Sequence, residues 1–394
     1  MWIRKHLPST CKICGKPLDS IELEGVLYPF HPECYWRRVE GGETPVYVES
    51  RLLQSDPIKT PNLPCLRGRF KIDLTDGCYH NCIYCYTYSQ PRTGLPRGMV
   101  LIRRNIVEKV SRQIAKLSFV KPIYISPNCD PFQEVVRGEV KGLVEVLVRE
   151  GLPFYFVTKG AIPKEVLDMV NGHPYIDAQI SLTTLDEDTR EVTEPNAPPV
   201  KERLKGIERL KEVGVKPILR IDPLLPYITD DEEGLKDLLK TVIDLGVRHV
   251  IGSYVGMRPE ILSYLTHFLE ARGMGEVAQR YRDLFQSGDS PIVYNFHLAP
   301  IKYRYKRLRW LSQEVKKIGK GRVTFSTCME EGPKETLFKS LWTTNVCEPV
   351  QLPTFKRVRN HFKPVKECID CLTRICEKCF HIHHPYTKNL LDYS

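Results

Sequence analysis

Short apolar runs alternate with amphipathic stretches through the middle of the chain. The runs are five to eight residues long and rich in Ile, Val, Phe and Tyr, which is typical of buried strands. They lie at residues 70–75, 122–126, 153–159, 176–183, 215–222 and 247–254. The stretches with helical spacing lie near residues 138–150, 163–171, 200–213 and 232–245, with a longer helical region up to about 285. Six strands that alternate with helices predict a parallel sheet.

Two architectures fit this α/β alternation. One is a partial barrel of six βα units, open on one side, and the other is a doubly wound sheet. A cysteine-rich loop, which carries Cys78, Cys82 and Cys85, comes directly after the first predicted strand. This loop favours the partial (β/α)6 barrel, whose active site would lie at the carboxyl ends of the strands.

The composition is that of an ordinary globular protein, with 42% hydrophobic and 27% charged residues among 394. It excludes wholesale disorder and a collagen-like fibre. No apolar run approaches the ~18 residues of a membrane-spanning helix, so we expect no membrane association. The first residues lack an apolar stretch after their basic residues, and we therefore expect a cytoplasmic, reducing location. The net charge of +10 favours polyanionic partners.

Ten of the 14 cysteines fall into three clusters, and in a reducing compartment clustered cysteines are typical of metal sites. The other four are Cys65, Cys129, Cys328 and Cys347. The clusters divide the chain into three expected parts. These are a zinc-binding module at residues 1–60, a barrel at 61–330 and a cysteine-rich metal-binding extension at 331–394.

The first cluster has the spacing of a structural zinc site. Cys11 and Cys14 form one pair, and His31 and Cys34 form a second pair after sixteen intervening residues. Zinc takes four tetrahedral Cys and His ligands, and two-residue spacers let each pair reach one ion. A segment of this length has little core of its own, so a bound metal would stabilise its fold. The pattern resembles half of a LIM-type or treble-clef zinc finger.

The second cluster has the spacing C-x3-C-x2-C, formed by Cys78, Cys82 and Cys85. Three thiolates on one loop can hold three irons of a [4Fe–4S] cluster and leave the fourth iron open to another molecule. A zinc site would need a fourth protein ligand, and His80 lies awkwardly inside the loop. The spacing therefore favours an iron–sulfur cluster.

This motif, with Tyr84 before its last cysteine, resembles that of the radical S-adenosylmethionine (radical SAM) enzymes. The segments SPNCDPFQE (126–134) and SLTTLDEDTREVTEPNAPPVKERLKGIERLKEVGVKPILRIDPLLP (181–226) resemble the spore photoproduct lyase-like, or DNA repair photolyase-like, family. The resemblance covers roughly residues 70–330. It implies reductive cleavage of S-adenosylmethionine to a 5′-deoxyadenosyl radical, which abstracts hydrogen from a substrate, and an electron donor of the ferredoxin or flavodoxin type.

One position departs from the spore photoproduct lyase pattern. Pro127 stands where that enzyme has a hydrogen-donating cysteine, and Cys129 lies next to Asp130 instead. We therefore expect a reaction other than repair of spore photoproduct. The enzyme would be a lyase or a modifying enzyme that acts on DNA or RNA, and a peptide or protein substrate is the alternative. A zinc-bearing nucleic-acid-binding protein is the non-enzymatic alternative, against which the three-cysteine loop argues.

Several residues at strand ends are candidates for the cofactor site. Each has a structural alternative, such as a helix N-cap for Asp130, a solvated turn for Lys159 or pairing with Asp222 for Arg220. The candidates for binding the cluster or S-adenosylmethionine are Cys78, Cys82, Cys85, Tyr84, Asp130, Lys159, Ser181, Thr183 and Arg220. Tyr86 and Cys129 are the candidates for hydrogen transfer.

The C-terminal third contains two further features. Residues 301–322 carry nine Lys and Arg and one acid, Glu314, which predicts either a solvated basic helix or a phosphate-contacting surface through Arg304, Lys306, Arg307 and Arg309. The third cysteine cluster follows with the spacing C-x2-C-x4-C-x2-C. It suits zinc or an auxiliary [4Fe–4S] cluster, and its spacing does not select iron. Its members are Cys368, Cys371, Cys376 and Cys379.

Overall fold

The computed structural model describes residues 7–365, apart from 24–25, 67, 90–94, 294, 332–335, 346 and 349–351. A parallel sheet of seven strands crosses the centre of this part of the chain. The strands are β1 (Phe70–Ile72), β2 (Ile123–Ile125), β3 (Phe154–Thr158), β4 (Ile176–Ser181), β5 (Pro217–Leu224), β6 (His249–Tyr254) and β7 (Thr324–Thr327).

The strands are ordered in space as in the sequence, from β1 at one edge to β7 at the other. Among the described strands β1 and β7 do not pair with each other, so the sheet is open on one side. This is the order of an incomplete α/β barrel, which confirms the predicted fold class. The sequence predicted six of these strands and missed β7, which has only four residues, TFST, three of them polar.

Ten α-helices are found in the described residues. They are α1 (Pro32–Glu40), α2 (Ile106–Lys116), α3 (Arg137–Arg149), α4 (Lys164–Val170), α5 (Glu187–Thr193), α6 (Val200–Glu212), α7 (Glu232–Asp244), α8 (Pro259–Ala271), α9 (Gly275–Phe285) and α10 (Ile301–Ile318). No helix of this part of the chain is both long enough and apolar enough to cross a membrane.

The strands separate apolar from polar side chains by simple alternation. In β5, Leu219 and Ile221 are fully buried in the main hydrophobic core, whereas Arg220, between them, points to the opposite side of the sheet. Each such buried aliphatic side chain contributes about 1.5–3 kcal/mol. Gly252 in β6 permits a close approach of α10, because a Cβ there would lie 3.1 Å from the Leu308 side chain. The opposite, polar side of the sheet is therefore available for chemistry.

Short strands and 3-10 turns surround this sheet. One small sheet contains Tyr47–Arg51, Met99–Arg103 and Thr75–Asp76, and a second contains Gly256–Met257, Phe296–Leu298 and Ile292–Val293. A third contains Phe119–Val120, Phe355–Val358 and His361–Pro364. Glu22–Leu23 pairs with Val26–Leu27. The 3-10 turns are Pro64–Leu66, Tyr86–Ser89, Glu134–Val136 and Phe338–Leu341.

The N-terminal segment packs against the barrel through aromatic residues of α1. The hydroxyl of Tyr35 lies 2.8 Å from that of Tyr264 in α8, and the rings of Trp36 and His267 lie 4.1 Å apart. Cys82 and Tyr84 of the cysteine loop belong to the same buried cluster. The N-terminal segment therefore packs against the buried side of the cysteine loop.

Candidate active site

The three-cysteine loop follows β1, and Thr75–Asp76, just before its first cysteine, pair with the strand Met99–Arg103. Cys78 and Cys82 are buried, and Cys85 is partly exposed. The loop needs glycine at position 77, where φ is +79° and a Cβ would lie 2.1 Å from the carbonyl oxygen of Met99. The hydroxyl of Tyr88 donates to the Cys78 carbonyl at 2.8 Å. The loop is thus held in one conformation with its thiols near the catalytic edge.

The donor set fits an iron–sulfur cluster. Burial raises the pKa of the Cys82 thiol to about 12, with a further contribution from the charge of Glu194, and burial also raises the pKa of Cys78. Buried thiolates are unfavourable unless a cation compensates them, and iron supplies that charge. Three cysteines on one loop leave one iron of a [4Fe–4S] cluster without a protein ligand.

Glu194 lies at the centre of a buried ion-pair network beside this loop. It is 1% exposed and accepts a hydrogen bond from the Tyr84 hydroxyl. Arg203 lies 2.5 Å from its carboxylate, and the Lys159 ammonium lies 3.9 Å away. Sequence analysis assigned no role to Glu194 or Arg203, because no spacing pattern connects either position with the cysteine loop or with β3.

Asp130 joins the carboxyl ends of β2 and β3. Its carboxylate accepts from the Thr158 hydroxyl at 2.7 Å and from the backbone N–H of Lys159 at 2.6 Å. It also accepts from the backbone N–H of Phe132 at 2.9 Å. A Cβ at Gly160 would lie 2.8 Å from the same carboxylate, so the turn needs glycine there. Asp130 therefore fixes the backbone from which the Lys159 side chain projects.

Arg220 lies on the polar side of β5 and is held by neighbouring strands. Its guanidinium donates to Asp222 at 2.8 Å and to the side-chain oxygen of Gln179 at 2.8 Å. Ser181 and Thr183 are buried at and just beyond the end of β4. The structure therefore brings Lys159, Arg220, Ser181 and Thr183 to the ends of three consecutive strands, β3 to β5.

The two candidates for hydrogen transfer lie where the cysteine loop meets the turn after β2. Tyr86, 39% exposed, donates from its hydroxyl to the carbonyl of Pro127 at 2.8 Å. The backbone N–H of Cys129 donates to the carbonyl of Ser126 at 3.2 Å. Burial, and then the charge of Asp73, raises the pKa of the Cys129 thiol to about 11. Cys129 is consequently a neutral thiol near neutral pH.

The N-terminal cysteines and histidine converge as the spacing predicts. The ligand atoms of Cys11, Cys14, His31 and Cys34 all lie within 4.8 Å of one another. His31 directs Nδ1 toward the Cys14 sulfur at 3.3 Å, and its Nε2 lies 2.8 Å from the carbonyl of Pro17. A backbone carbonyl on the second ring nitrogen is the usual support of a metal-bound histidine. These four groups can hold one metal ion.

Two other predictions have different outcomes. Cys368, Cys371, Cys376 and Cys379 lie outside the described residues. The predicted phosphate contact of Arg304 is wrong, because this residue is fully buried and pairs with Glu330. Arg307 lies 2.6 Å from Glu232 and is also partly neutralised. The helix itself, α10, is present as predicted.

Residues 72–239 match the Radical SAM superfamily. This part of the chain therefore contains a radical SAM domain. A radical SAM domain indicates an enzyme, and it implies a [4Fe–4S] cluster and S-adenosylmethionine as cofactors. Cys78, Cys82 and Cys85 would hold the cluster, which would supply the electron for reductive cleavage of S-adenosylmethionine.

Several known proteins are similar to this chain. The uncharacterized protein ORF301 of Acidianus two-tailed virus is 28% identical over 52% of this chain and 73% of its own length. A radical SAM Nalpha-GlyT isomerase of Pseudomonas phage M6 is 24% identical over 77% of this chain and 65% of its own length. A mutant spore photoproduct lyase shares the fold with a TM-score of 0.54, at 11% identity, over 79% of this chain and 88% of its own.

Proposed function

We propose that this radical SAM enzyme abstracts hydrogen from a nucleic-acid substrate. Cys78, Cys82 and Cys85 would hold the [4Fe–4S] cluster. The observation that carries the choice of substrate is a continuous basic face on α10, a helix whose first turns lie beside the catalytic edge. An external reductant would supply the electron.

The exposed face of α10 is positively charged along its length. Besides Ile301 and Lys317, six exposed residues recur at intervals of three and four positions, which places these six on one side of the helix. They are Lys302, Lys306, Arg309, Gln313, Lys316 and, just after the helix, Lys320. None is acidic. This face therefore suits the regularly spaced phosphates of a nucleic acid.

The start of α10 is tied to the catalytic edge of the sheet. The hydroxyl of Tyr303 donates to Asp230 at 2.7 Å, and the same carboxylate accepts from Tyr254, the last residue of β6, at 2.9 Å. Lys302 and Lys306 consequently lie near the rim around the strand ends. A polyanion bound along α10 could extend from there toward the cysteine loop.

The ligand of one protein with a similar fold agrees with a nucleic-acid substrate. Spore photoproduct lyase, which shares the fold with a TM-score of 0.51 at 11% identity, has been solved with a dinucleoside spore photoproduct. The phage relative is named as a Nalpha-GlyT isomerase. The sequence departure at Pro127 favours a reaction other than the lyase reaction for this chain.

The cofactor-binding roles follow from the positions of the strand-end residues. The ammonium of Lys159 would pair with the carboxylate of S-adenosylmethionine, and Arg220 would add positive charge. Hydroxyls of Ser181 and Thr183 would bond the ribose. Lys159 keeps its charge on burial, because Glu194 offsets the effect of burial and leaves its pKa raised above the usual value.

Asp130 and Tyr84 would position these groups, through the backbone of Lys159 and the carboxylate of Glu194. Tyr86 and Cys129, at the junction of the cysteine loop and the turn after β2, would transfer hydrogen. The N-terminal site of Cys11, Cys14, His31 and Cys34 would hold a structural zinc ion in a module at residues 1–60. The barrel would cover 61–330, and the cysteines of 331–394 would hold zinc or an auxiliary cluster.

The salt dependence of binding tests the substrate class. Each phosphate neutralised by the protein lowers the slope of log affinity against log salt by about 0.7–0.9. The triple variant Lys306→Glu, Arg309→Glu and Lys316→Glu should therefore flatten the slope by about 2–3. Single-stranded DNA and tRNA are the two probes, measured by fluorescence anisotropy.

A matched control reverses three exposed basic residues of α6, namely Lys201, Arg209 and Lys211. This variant changes the net charge equally and should bind with an unchanged slope. If the slope flattened equally in both triple variants, the effect would be one of net charge and would contradict a specific role of α10. No binding of either probe by the wild type at moderate salt would contradict the nucleic-acid proposal and favour a peptide substrate.

A further inference from the structure

Arg97 lies behind the three-cysteine loop and is only 3% exposed. Its guanidinium donates to the backbone carbonyl of Asn81 at 3.3 Å and to that of Cys82. It lies between two aromatic rings, 3.9 Å from the ring centre of Tyr264 and 4.8 Å from that of Tyr88. Arg97 thus contacts the backbone of one predicted cluster ligand directly.

This arginine differs from the other buried arginines in its lack of an acidic partner. Six arginines are buried in the described structure, and five of them lie within ion-pair distance of a carboxylate. Those five are Arg69, Arg190, Arg203, Arg220 and Arg304. Within the described residues no carboxylate forms an ion pair with Arg97. A buried charge without a counter-charge is strongly unfavourable, so this site requires an anion.

The surrounding tyrosines do not provide that anion. The hydroxyl of Tyr88 donates to the carbonyl of Cys78 at 2.8 Å, and the hydroxyl of Tyr35 lies 2.8 Å from that of Tyr264, so both are hydrogen-bonded, neutral phenols. The cysteine loop can provide it. Three thiolates outweigh the two positive charges of an oxidised [4Fe–4S] core, and one-electron reduction adds a further negative charge.

We propose that Arg97 is the counter-charge of the [4Fe–4S] cluster and raises its reduction potential. This inference rests on the cluster assigned to Cys78, Cys82 and Cys85. A fixed positive charge stabilises the reduced, more negative cluster more than the oxidised one, which eases uptake of the electron from the reductant. In this proposal Arg97 acts on the cluster only through its charge and is not a catalytic residue.

The N-terminal segment holds this charge in place. The backbone N–H of Arg97 donates to the carbonyl of Leu27 at 2.6 Å. The side-chain amide of Asn81, in the cysteine loop, donates to the hydroxyl of Tyr35 at 3.4 Å. The first contact joins the segment that carries the four candidate zinc ligands to Arg97 itself, and the second joins that segment to the loop that carries the three cluster ligands. The guanidinium therefore cannot turn toward solvent without disrupting this packing.

The test is an EPR-monitored redox titration of the full chain, reconstituted anaerobically and reduced with dithionite in the presence of mediators. The variant Arg97→Gln keeps a hydrogen-bond donor for the two carbonyls and removes the charge, whereas Arg97→Lys keeps the charge. A unit charge at about 10 Å in a medium of dielectric about 20 changes an equilibrium by about tenfold. At the wild-type midpoint, Arg97→Gln should therefore show an about tenfold lower ratio of reduced to oxidised cluster, or about 59 mV. Arg97→Lys should stay close to the wild type.

Arg357 provides the control, because it also donates to two backbone carbonyls, those of Ile114 and Leu117, and lies 4.2 Å from the ring centre of Phe362. Arg357→Gln should leave the potential unchanged. If the Gln and Lys variants of Arg97 hold wild-type amounts of iron at equal midpoints, the inference is overturned. If the wild type itself assembles no cluster, the proposed function fails instead. If Arg97→Gln does not hold iron, an about tenfold lower ratio of reduced to oxidised cluster in Arg97→Lys, at the wild-type midpoint, would equally overturn the inference.

Discussion

Replacing Glu194 by Gln tests the ion-pair network beside the cysteine loop. The substitution preserves side-chain volume and an acceptor for the Tyr84 hydroxyl, but it removes the negative charge shared by Arg203 and Lys159. Arg203 has 1% of its side chain exposed, so it would remain a buried cation without its partner. Breaking a buried pair in this way costs about 3–5 kcal/mol of unfolding free energy.

The pH dependence gives a second, independent signature. Burial alone would raise the pKa of Glu194, but the charges of Arg203 and Lys159 more than offset it and leave the pKa below its usual value. A lowered carboxyl pKa stabilises the fold above the unfolded-state pKa of about 4.3, and this contribution is lost as the pH falls toward the folded-state pKa. The difference in unfolding free energy between wild type and Glu194→Gln should thus be constant from pH 7 to 5. It should shrink as the pH falls below about 4.3.

Urea denaturation of the apo chain, followed by circular dichroism, measures both effects. The control is Glu43→Gln, which removes the acid of an exposed ion pair with Arg38 and should cost about 0–1 kcal/mol. The reasoning would be refuted if Glu194→Gln lost less than about 1 kcal/mol of unfolding free energy. It would also be refuted if the difference in unfolding free energy from wild type did not change with pH.

Two further predictions concern ligands. Lys159→Ala should weaken S-adenosylmethionine binding about 10- to 100-fold, as expected for loss of a charged hydrogen bond, with unchanged iron content. Isothermal titration calorimetry under anaerobic conditions measures this affinity, and Lys164→Ala, at an exposed position, is the control. If Lys159→Ala bound S-adenosylmethionine with wild-type affinity, Lys159 would be excluded from the site. Cys14→Ser should remove one equivalent of zinc and lower the melting temperature, because the metal contributes folding energy to a segment with little core. A wild-type protein without zinc would contradict that prediction.

The sequence predicts the architecture well, because strand periodicity and the position of the cysteine loop are local signals. Six of the seven sheet strands and α10 are visible as apolar or amphipathic patterns. The strand β7 was missed because it has only four residues, and three of them are polar. Arg304 was misassigned for a related reason, since composition cannot show which side of a helix faces the core.

The candidate site is predictable only in part. Ligand spacing identifies the cysteine motif and brings Cys11, Cys14, His31 and Cys34 together, because both are encoded over short distances. The roles of Glu194, Arg203 and Arg97 depend on tertiary packing. No local pattern reveals that Arg97 is buried without an acidic partner, and the packing of the N-terminal segment behind the loop follows only from the structure.

Metal analysis of protein purified and reconstituted anaerobically tests the central claim most directly. The wild type should contain iron and sulfide, and it should form 5′-deoxyadenosine from S-adenosylmethionine after reduction with dithionite. The variant in which Cys78, Cys82 and Cys85 are all replaced by Ala should lose about four irons and this activity while it keeps the N-terminal zinc. A wild type that holds no iron after reconstitution, or a triple variant with unchanged iron and activity, would contradict the account.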